Sequence, residues 1–253
     1  MSERYQAAFP VDLHTHTVAS DHAYSTIHDY IRLAPQFGIS MFACTDHGPA
    51  VPDAPYPWHF KNLRVVPRVC EGVAVLRGME CNILEDGKTD LPPEAKLDVV
   101  LAGFHPNLTP SDPDTHTRLM LKVIESGKID IISHPGVANF PMDYEAVLEC
   151  AKQHSVAVEI NSSSSVNTRL GSHENCVRIA ALAKKIGNIV SVGSDAHIAY
   201  FMGHFEEALD VIKESALPLR QIINLSPSKV LDFLESRGHE RIGELRDFFE
   251  KPA

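Results

Sequence analysis

His14 and His16 in VDLHTHT, and Asp195 and His197 in GSDAH, share a spacing of two residues. On an extended strand such residues face the same side with Cα atoms about 7 Å apart, so each pair can chelate one metal ion or serve two neighbouring ions. Other β-rich runs also end on metal-competent side chains: His47 in TDHG, Glu80 in RGME, His105 in GFHP and His134 in ISHPG. If these runs are parallel strands of one barrel, all their C-terminal ends meet on one rim and the side chains converge. With His22 in the loop after the first run, the candidate ligands are His14, His16, His22, His47, Glu80, His105, His134, Asp195 and His197. Nine ligands exceed the needs of one or two four-coordinate ions and suit three, with a carboxylate, Glu80, as the candidate bridge. A nitrogen-rich set favours Zn²⁺ over Mg²⁺ or Ca²⁺, and Mn²⁺ or Fe²⁺ are compatible where carboxylates join.

The elements that must position these residues alternate along the chain. Strands are expected at Val11–His16, Met41–His47, Val73–Glu80, Asp98–His105, Asp130–Gly136, Ala157–Ser162 and Ile189–His197, with amphipathic helical stretches between them. Ile27, Tyr30, Ile31, Ala34 and Phe37 keep a helical spacing between Ser25 and Phe37, although Pro35 sits awkwardly in it. Asp143 is expected to cap a helix carrying Tyr144, Val147, Leu148 and Ala151, and Ser226-Pro227 to start another that ends near Gly238. Two connections exceed the minimum for a βα unit. Gly48–Phe60 is rich in proline and aromatic residues, and Ile83–Lys96 carries an Asp-Gly turn signal; both follow strand ends and are expected at the rim.

The 253 residues, 44% of them apolar, suffice for one β/α barrel, expected to span 1–253 as a single domain with closing C-terminal helices. No long uncharged apolar run and no basic, apolar opening are visible, so the expectation is a cytoplasmic protein without a membrane partner. A formal charge of −10 without a basic stripe argues against sequence-independent nucleic-acid binding. Cys44, Cys70, Cys81, Cys150 and Cys176 are scattered and read as reduced. Six further histidines, His28, His116, His154, His173, His204 and His239, fall in helical or loop stretches and read as structural or surface residues.

The ordered series VDLHTHTVAS, TDHG, GFHP, ISHPG and GSDAH resembles the motif series of the polymerase and histidinol phosphatase (PHP) superfamily. The stretches VDLHTHTVASDHAYS, APYPWHF, EINSSS and NLSPSKVLDFLESRG resemble its YcdX-type phosphatases, and the resemblance covers essentially the whole chain. It implies an α/β fold, a distorted (β/α)7 barrel with a trinuclear site at the C-terminal ends of the strands, usually described with zinc. It also implies the grouping of ligands: His14, His16, Glu80 and Asp195 on one ion, Glu80 with His105 and His134 on a second, and His22, His47 and His197 on a third.

Such a centre would be strongly positive inside an acidic protein, which matches a phosphate dianion. The expected activity is hydrolysis of a small phosphomonoester by a hydroxide held between metals. Glu80, Asp195, Asp46 and His59 are the candidate catalytic side chains: Asp46 can orient an imidazole from behind, and His59 lies in a loop able to fold over the site. Asn161 and Arg169 follow the sixth expected strand, to which no ligand is assigned, and are the candidate substrate contacts. The alternatives are a nuclease-type phosphodiesterase and a non-enzymatic metal-binding module. An amidohydrolase-type hydrolase would be favoured by a bridging lysine at the end of a middle strand; none stands there, and Glu80 takes the bridging role instead.

Overall fold

A computed structural model describes residues 6–163 and 171–250. Seven strands form a parallel path: β1 (Val11–Thr15), β2 (Met41–Cys44), β4 (Val73–Asn82), β5 (Val99–Gly103), β6 (Ile131–Ile132), β7 (Ala157–Asn161) and β8 (Val190–Gly193). A two-residue strand, β3 (Val69–Cys70), pairs antiparallel with the start of β4 and was not expected from the sequence. β8 returns to β1 through a parallel bridge between Thr15 and Ala196 and the His16 N–H donating to the Ala196 carbonyl at 2.9 Å. Side chains complete this seam. The Tyr30 hydroxyl lies 2.8 and 2.7 Å from the carbonyls of His16 and Ala196. Buried Asp12 accepts from the Ser194 hydroxyl at 2.5 Å and from the Gly203 N–H at 2.9 Å. The result is the distorted seven-stranded barrel that the motif series implies.

The strands divide the barrel into an apolar half and a polar half. Val11, Leu13, Met41, Ala43, Ala74, Leu76, Val99, Leu101, Ile131 and Ala157 belong to one buried cluster. Val230, Leu231, Phe233 and Leu234 of α7 (Pro227–Ser236) and Leu245 of α8 (Gly243–Glu250) pack into it, so these helices close the end opposite the histidines. The outward strand residues, such as Phe42, Val75, Val100, Val158 and Val192, meet the crossover helices in a second, larger core. Those helices are α1 (Ile27–Leu33), α3 (Pro113–Glu125), α4 (Tyr144–Gln153), α5 (His173–Ile186) and α6 (Glu206–Ser215).

Local chemistry sets the helix bounds. Thr26 and Asp29 form a reciprocal capping box on α1. Pro35 lacks an N–H, and the stretch Ala34–Phe37 tightens into a 3₁₀ turn rather than continuing the α-helix. Asp143 and Ser226 accept from Ala146 and Lys229 N–H groups, as their positions predict. Ile83 and Thr89 pair as a bridge across the Asp86-Gly87 turn, where Gly87 has φ 77°. The proline-rich connection carries the short helix α2 (Trp58–Asn62). Among the described residues no helix is long and apolar enough to cross a membrane.

Because Leu234 of α7 packs into the apolar end of the barrel, Leu234→Ala should lower the free energy of urea unfolding by about 2–5 kcal/mol. Metal content of the folded protein should stay unchanged, as elemental analysis would check.

Candidate metal centre

β1 contains the first device that builds the site. Val11 and Asp12 pair with Met41 and Phe42, but Thr15 pairs with Cys44, so β1 carries one residue more than β2 between these points. Simple alternation would put His14 and His16 on the face opposite Val11 and Leu13. The register shift reverses the faces: Val11 and Leu13 lie in the apolar cluster, while His14 and His16 join the polar end. Thr15 locks the shift by donating from its hydroxyl to the Ala43 carbonyl at 2.8 Å.

The backbone is strained where β6 and β8 end. His134 and Asp195, both candidate ligands, have φ of 32° and 54°. Such conformations cost non-glycine residues of order 1 kcal/mol or more and persist where surrounding contacts fix them. Two glycines supply close approach. A Cβ on Gly103 would lie 2.4 Å from Ser133 Oγ and 2.7 Å from His134 Cε1, and one on Gly193 would lie 2.1 Å from Glu159 Oε1.

Glu80 has no solvent exposure and sits at the middle of the cluster. Its Oε2 lies 3.2, 3.5 and 3.1 Å from His14 Nε2, His16 Nε2 and His47 Nδ1, and among the described residues that oxygen has no hydrogen bond of good geometry. His14 Nε2 and His16 Nε2 are 3.1 Å apart, and they lie 3.6 and 3.2 Å from Asp195 Oδ1. Four ligands about 2.05 Å from a tetrahedral ion have edges of roughly 3.3 Å, so these atoms have the spacing of one coordination shell. The other oxygen, Oε1, lies 2.7 and 3.2 Å from His134 Nε2 and His105 Nε2, which are 3.2 Å from each other. The two oxygens of one buried carboxylate therefore face two different donor sets.

A third set lies outward. His22 Nε2 and His197 Nε2 approach to 2.9 Å, and the His47 ring is 5.0 and 5.9 Å from theirs. His47 stands between the sets, within ligand distance of Glu80 and His105 on one side and of His16 and His197 on the other. The grouping implied by the motif resemblance places it with His22 and His197 alone, whereas the observed geometry shares it.

Hydrogen bonds behind the rings select tautomers that turn Nε2 lone pairs inward. His14 Nδ1 is 2.7 Å from Glu159 Oε1, and His197 Nδ1 is 2.9 Å from the Asp195 carbonyl. His22 Nδ1 faces Asp53. Burial opposes charge on His14, but Glu159, Glu80 and Asp195 outweigh it and hold its pKa well above the usual value. Burial likewise opposes ionisation of Glu80, yet His14, His105 and His134 hold it well below the ordinary carboxylate range. Burial dominates at His16, which is pushed well below its ordinary value, and at His105, pushed down to about 4. Neutral imidazoles are the ligating form.

Asp46 is buried and organises the loop after β1. It accepts from the Thr17 N–H at 2.7 Å, the Thr17 hydroxyl at 2.8 Å and the Ser20 hydroxyl at 2.9 Å. His59 of α2 lies over it, with Nε2 3.4 Å from Asp46 Oδ2. Asn161 is buried, its amide donating to Glu159 Oε2 at 3.0 Å and Asp195 Oδ2 at 3.3 Å, and its carbonyl accepting from Ser163. Arg169 lies outside the described residues. The sequence reading missed Glu159 and Asp53. A lone glutamate inside AVEIN offers no i+2 partner, and Asp53 lies in a loop far from His22 in sequence; the inward register of Glu159 was the available signal. His116 and His239 take structural partners, the Pro141 carbonyl at 2.8 Å and Asp130 at 2.8 Å.

The PHP domain family model matches residues 12–230 of the chain. A Shewanella oneidensis protein named "Probable phosphatase" is 51% identical over 249 residues, spanning 97% of this chain and 99% of its own length. "Probable phosphatase YcdX" of Escherichia coli O81 is 50% identical over 243 residues, spanning 94% and 99%. Among solved structures, histidinol phosphate phosphatase of Lactococcus lactis subsp. lactis, complexed with zinc, L-histidinol and phosphate, matches with a TM-score of 0.63 at 15% identity over 83% of this chain and 94% of that one. A chain of archaeal ribonuclease P solved with mature tRNA matches with a TM-score of 0.58 at 14% identity, covering 95% of this chain and 94% of that one. At those identities the two structures share the fold.

His105 binds its proton less readily when folded than the ordinary value of 6.5, so the unfolded chain holds the extra proton between about pH 6.5 and 4. With metal removed by chelation, the contribution of His105 to stability should fall as pH drops through that window. Urea unfolding at pH 7, 5.5 and 4.5 should show a smaller acid-induced loss in His105→Asn than in the unchanged protein.

Proposed function

The chain belongs to the PHP domain family, and from that premise we propose that it hydrolyses a small phosphomonoester at a centre of three divalent cations, zinc foremost. One observation carries the reading: the two oxygens of buried Glu80 face separate sets of imidazoles at 2.7–3.5 Å. Half identity over nearly the full length to proteins named as phosphatases supplies the reaction class. The residues present fit the ions. His14, His16, Glu80 and Asp195 would hold one, Glu80, His105 and His134 a second, and His22, His47 and His197 a third, with His47 also within ligand distance of Glu80 and His105.

When bound, the ions would supply Lewis acidity, lowering the pKa of coordinated water toward about 7 and offsetting charge on the transferring phosphoryl group. The chain's own groups do the rest. Glu159, Asp53 and the Asp195 carbonyl orient His14, His22 and His197 from behind. Glu80, Asp195 and Glu159 carry less negative charge than three divalent ions bring, so the bowl attracts a phosphate dianion despite the acidic surface. Asp46 fixes the Thr17–Ser20 turn beside His47, to which Ser20 Oγ is also hydrogen-bonded at 3.1 Å. His59, partly exposed and backed by buried Asp46, is the side chain we assign to hold the proton returned to the leaving oxygen.

The leaving group meets the rim. Tyr24, Tyr56 and Tyr200 are exposed on the connections that follow β1, β2 and β8. Those connections are stapled together by the Tyr24 N–H donating to the His197 carbonyl at 2.7 Å and the Asp21 N–H to the Asp53 carbonyl at 2.9 Å.

The metal-loaded protein should hydrolyse a generic phosphomonoester and leave DNA and a cyclic amide untouched when the three are assayed side by side. Asp195→Ala should lower both bound metal and kcat, the latter at least about 100-fold. Full turnover in that variant would contradict the scheme.

A further inference from the structure

We propose that Glu159 is a positioning residue that supports the first two cation positions at once, so that its loss weakens both, while the third position is held from behind by other groups. The proposal rests on the metal centre described above, and on a network that reaches two of its donor sets through one carboxylate. Glu159 is buried on β7, and three donors converge on it. Its Oε1 faces His14 Nδ1 at 2.7 Å, a ring whose Nε2 belongs to the first set. Its Oε2 accepts the backbone N–H of His134 at 2.8 Å, and His134 Nε2 belongs to the second. Asn161 donates to the same Oε2 at 3.0 Å and reaches Asp195 Oδ2 at 3.3 Å, which returns to the first set.

The chemistry of the three partners dictates a carboxylate. Each presents an N–H, so the central group must accept at both ends, and only an ionised carboxylate does so. A glutamine of the same shape would turn its NH₂ toward one of these donors and leave a buried clash of like groups. The backbone is built around the contact. His134 takes its φ of 32° where its N–H meets Oε2, and β8 carries glycine at 193, where any Cβ would stand 2.1 Å from Oε1 and 2.8 Å from His14 Cβ.

The outer set is held differently. His22 Nδ1 faces Asp53, and His197 Nδ1 faces the Asp195 carbonyl. Charge and orientation lost at Glu159 therefore act directly on His14 and His134, in separate sets, while charge lost at Asp53 acts on His22.

The test is titration of the chelator-stripped full-length protein with Zn²⁺ against a competing chromophoric chelator, with elemental analysis of the loaded samples. The unchanged protein, Glu159→Gln, Gly193→Ala and Asp53→Asn are compared. Glu159→Gln should weaken two of the three sites together, by about 10- to 100-fold each, and leave one at its native affinity. Asp53→Asn should weaken one site. Gly193→Ala keeps the charge but displaces the carboxylate, and it should reproduce the paired loss, which covers the case in which Glu159→Gln fails to fold. Native affinity at all sites in both Glu159→Gln and Gly193→Ala, or loss confined to one site, overturns the shared support and leaves the phosphatase reading intact. An unchanged protein that takes up no zinc overturns both.

Discussion

Glu80 is an ionised carboxylate with no access to solvent, and the rest of the site is arranged around the cost of keeping it there. Removing such a group from water costs several kcal/mol unless opposite charge and hydrogen bonds replace the hydration. Within the chain the replacement is a ring of imidazoles, His14, His16, His47, His105 and His134, placed on both sides of it. Imidazoles in this number cannot all be protonated at such distances, and burial drives His16 and His105 toward the neutral form. A carboxylate bracketed by imidazole nitrogens, His16 and His105 among them in the neutral form, is a receptor for cations, and each of its oxygens faces its own set.

The barrel makes this tolerable by separating its two ends. Leucine, isoleucine, valine, methionine and alanine fill the end that α7 and α8 close, and the polar groups are confined to the other. The boundary is abrupt. On β1 it falls between Leu13 and His14, adjacent residues that a register shift brings inward one after the other. On β4 it falls between Leu76 and Glu80, with Gly78 between them on the same face. Asp12, Tyr30 and Ser194 then stitch β8 to β1, where regular pairing gives way.

Much of this was legible in the residues. Runs rich in Val, Ile and Ala bounded by turn residues located all seven parallel strands, and the strand-end histidines and carboxylates marked the polar rim. Capping by Asp143 and Ser226 and the turn at Asp86-Gly87 followed from local chemistry. What escaped depended on tertiary placement. The extra residue in β1 leaves no mark in a count of alternating residues, and the i, i+2 spacing of His14 and His16 alone could not say which face they share. Glu159 reads as a stray charge in an apolar strand until β1 and β6 are beside it. β3 is too short to carry a pattern, and Asp53 meets His22 only because two loops cross.

The proposed centre would place Glu80 between two cations with a third beside them. Diffraction from crystals grown with zinc, with anomalous differences collected on both sides of the zinc absorption edge, tests it most directly. Three anomalous peaks are expected at the C-terminal ends of the strands, with Oε1 and Oε2 of Glu80 on different ions and Asp195 on the ion shared with His14 and His16. A single peak, or a Glu80 side chain turned away from the imidazoles with no ion between them, would contradict it.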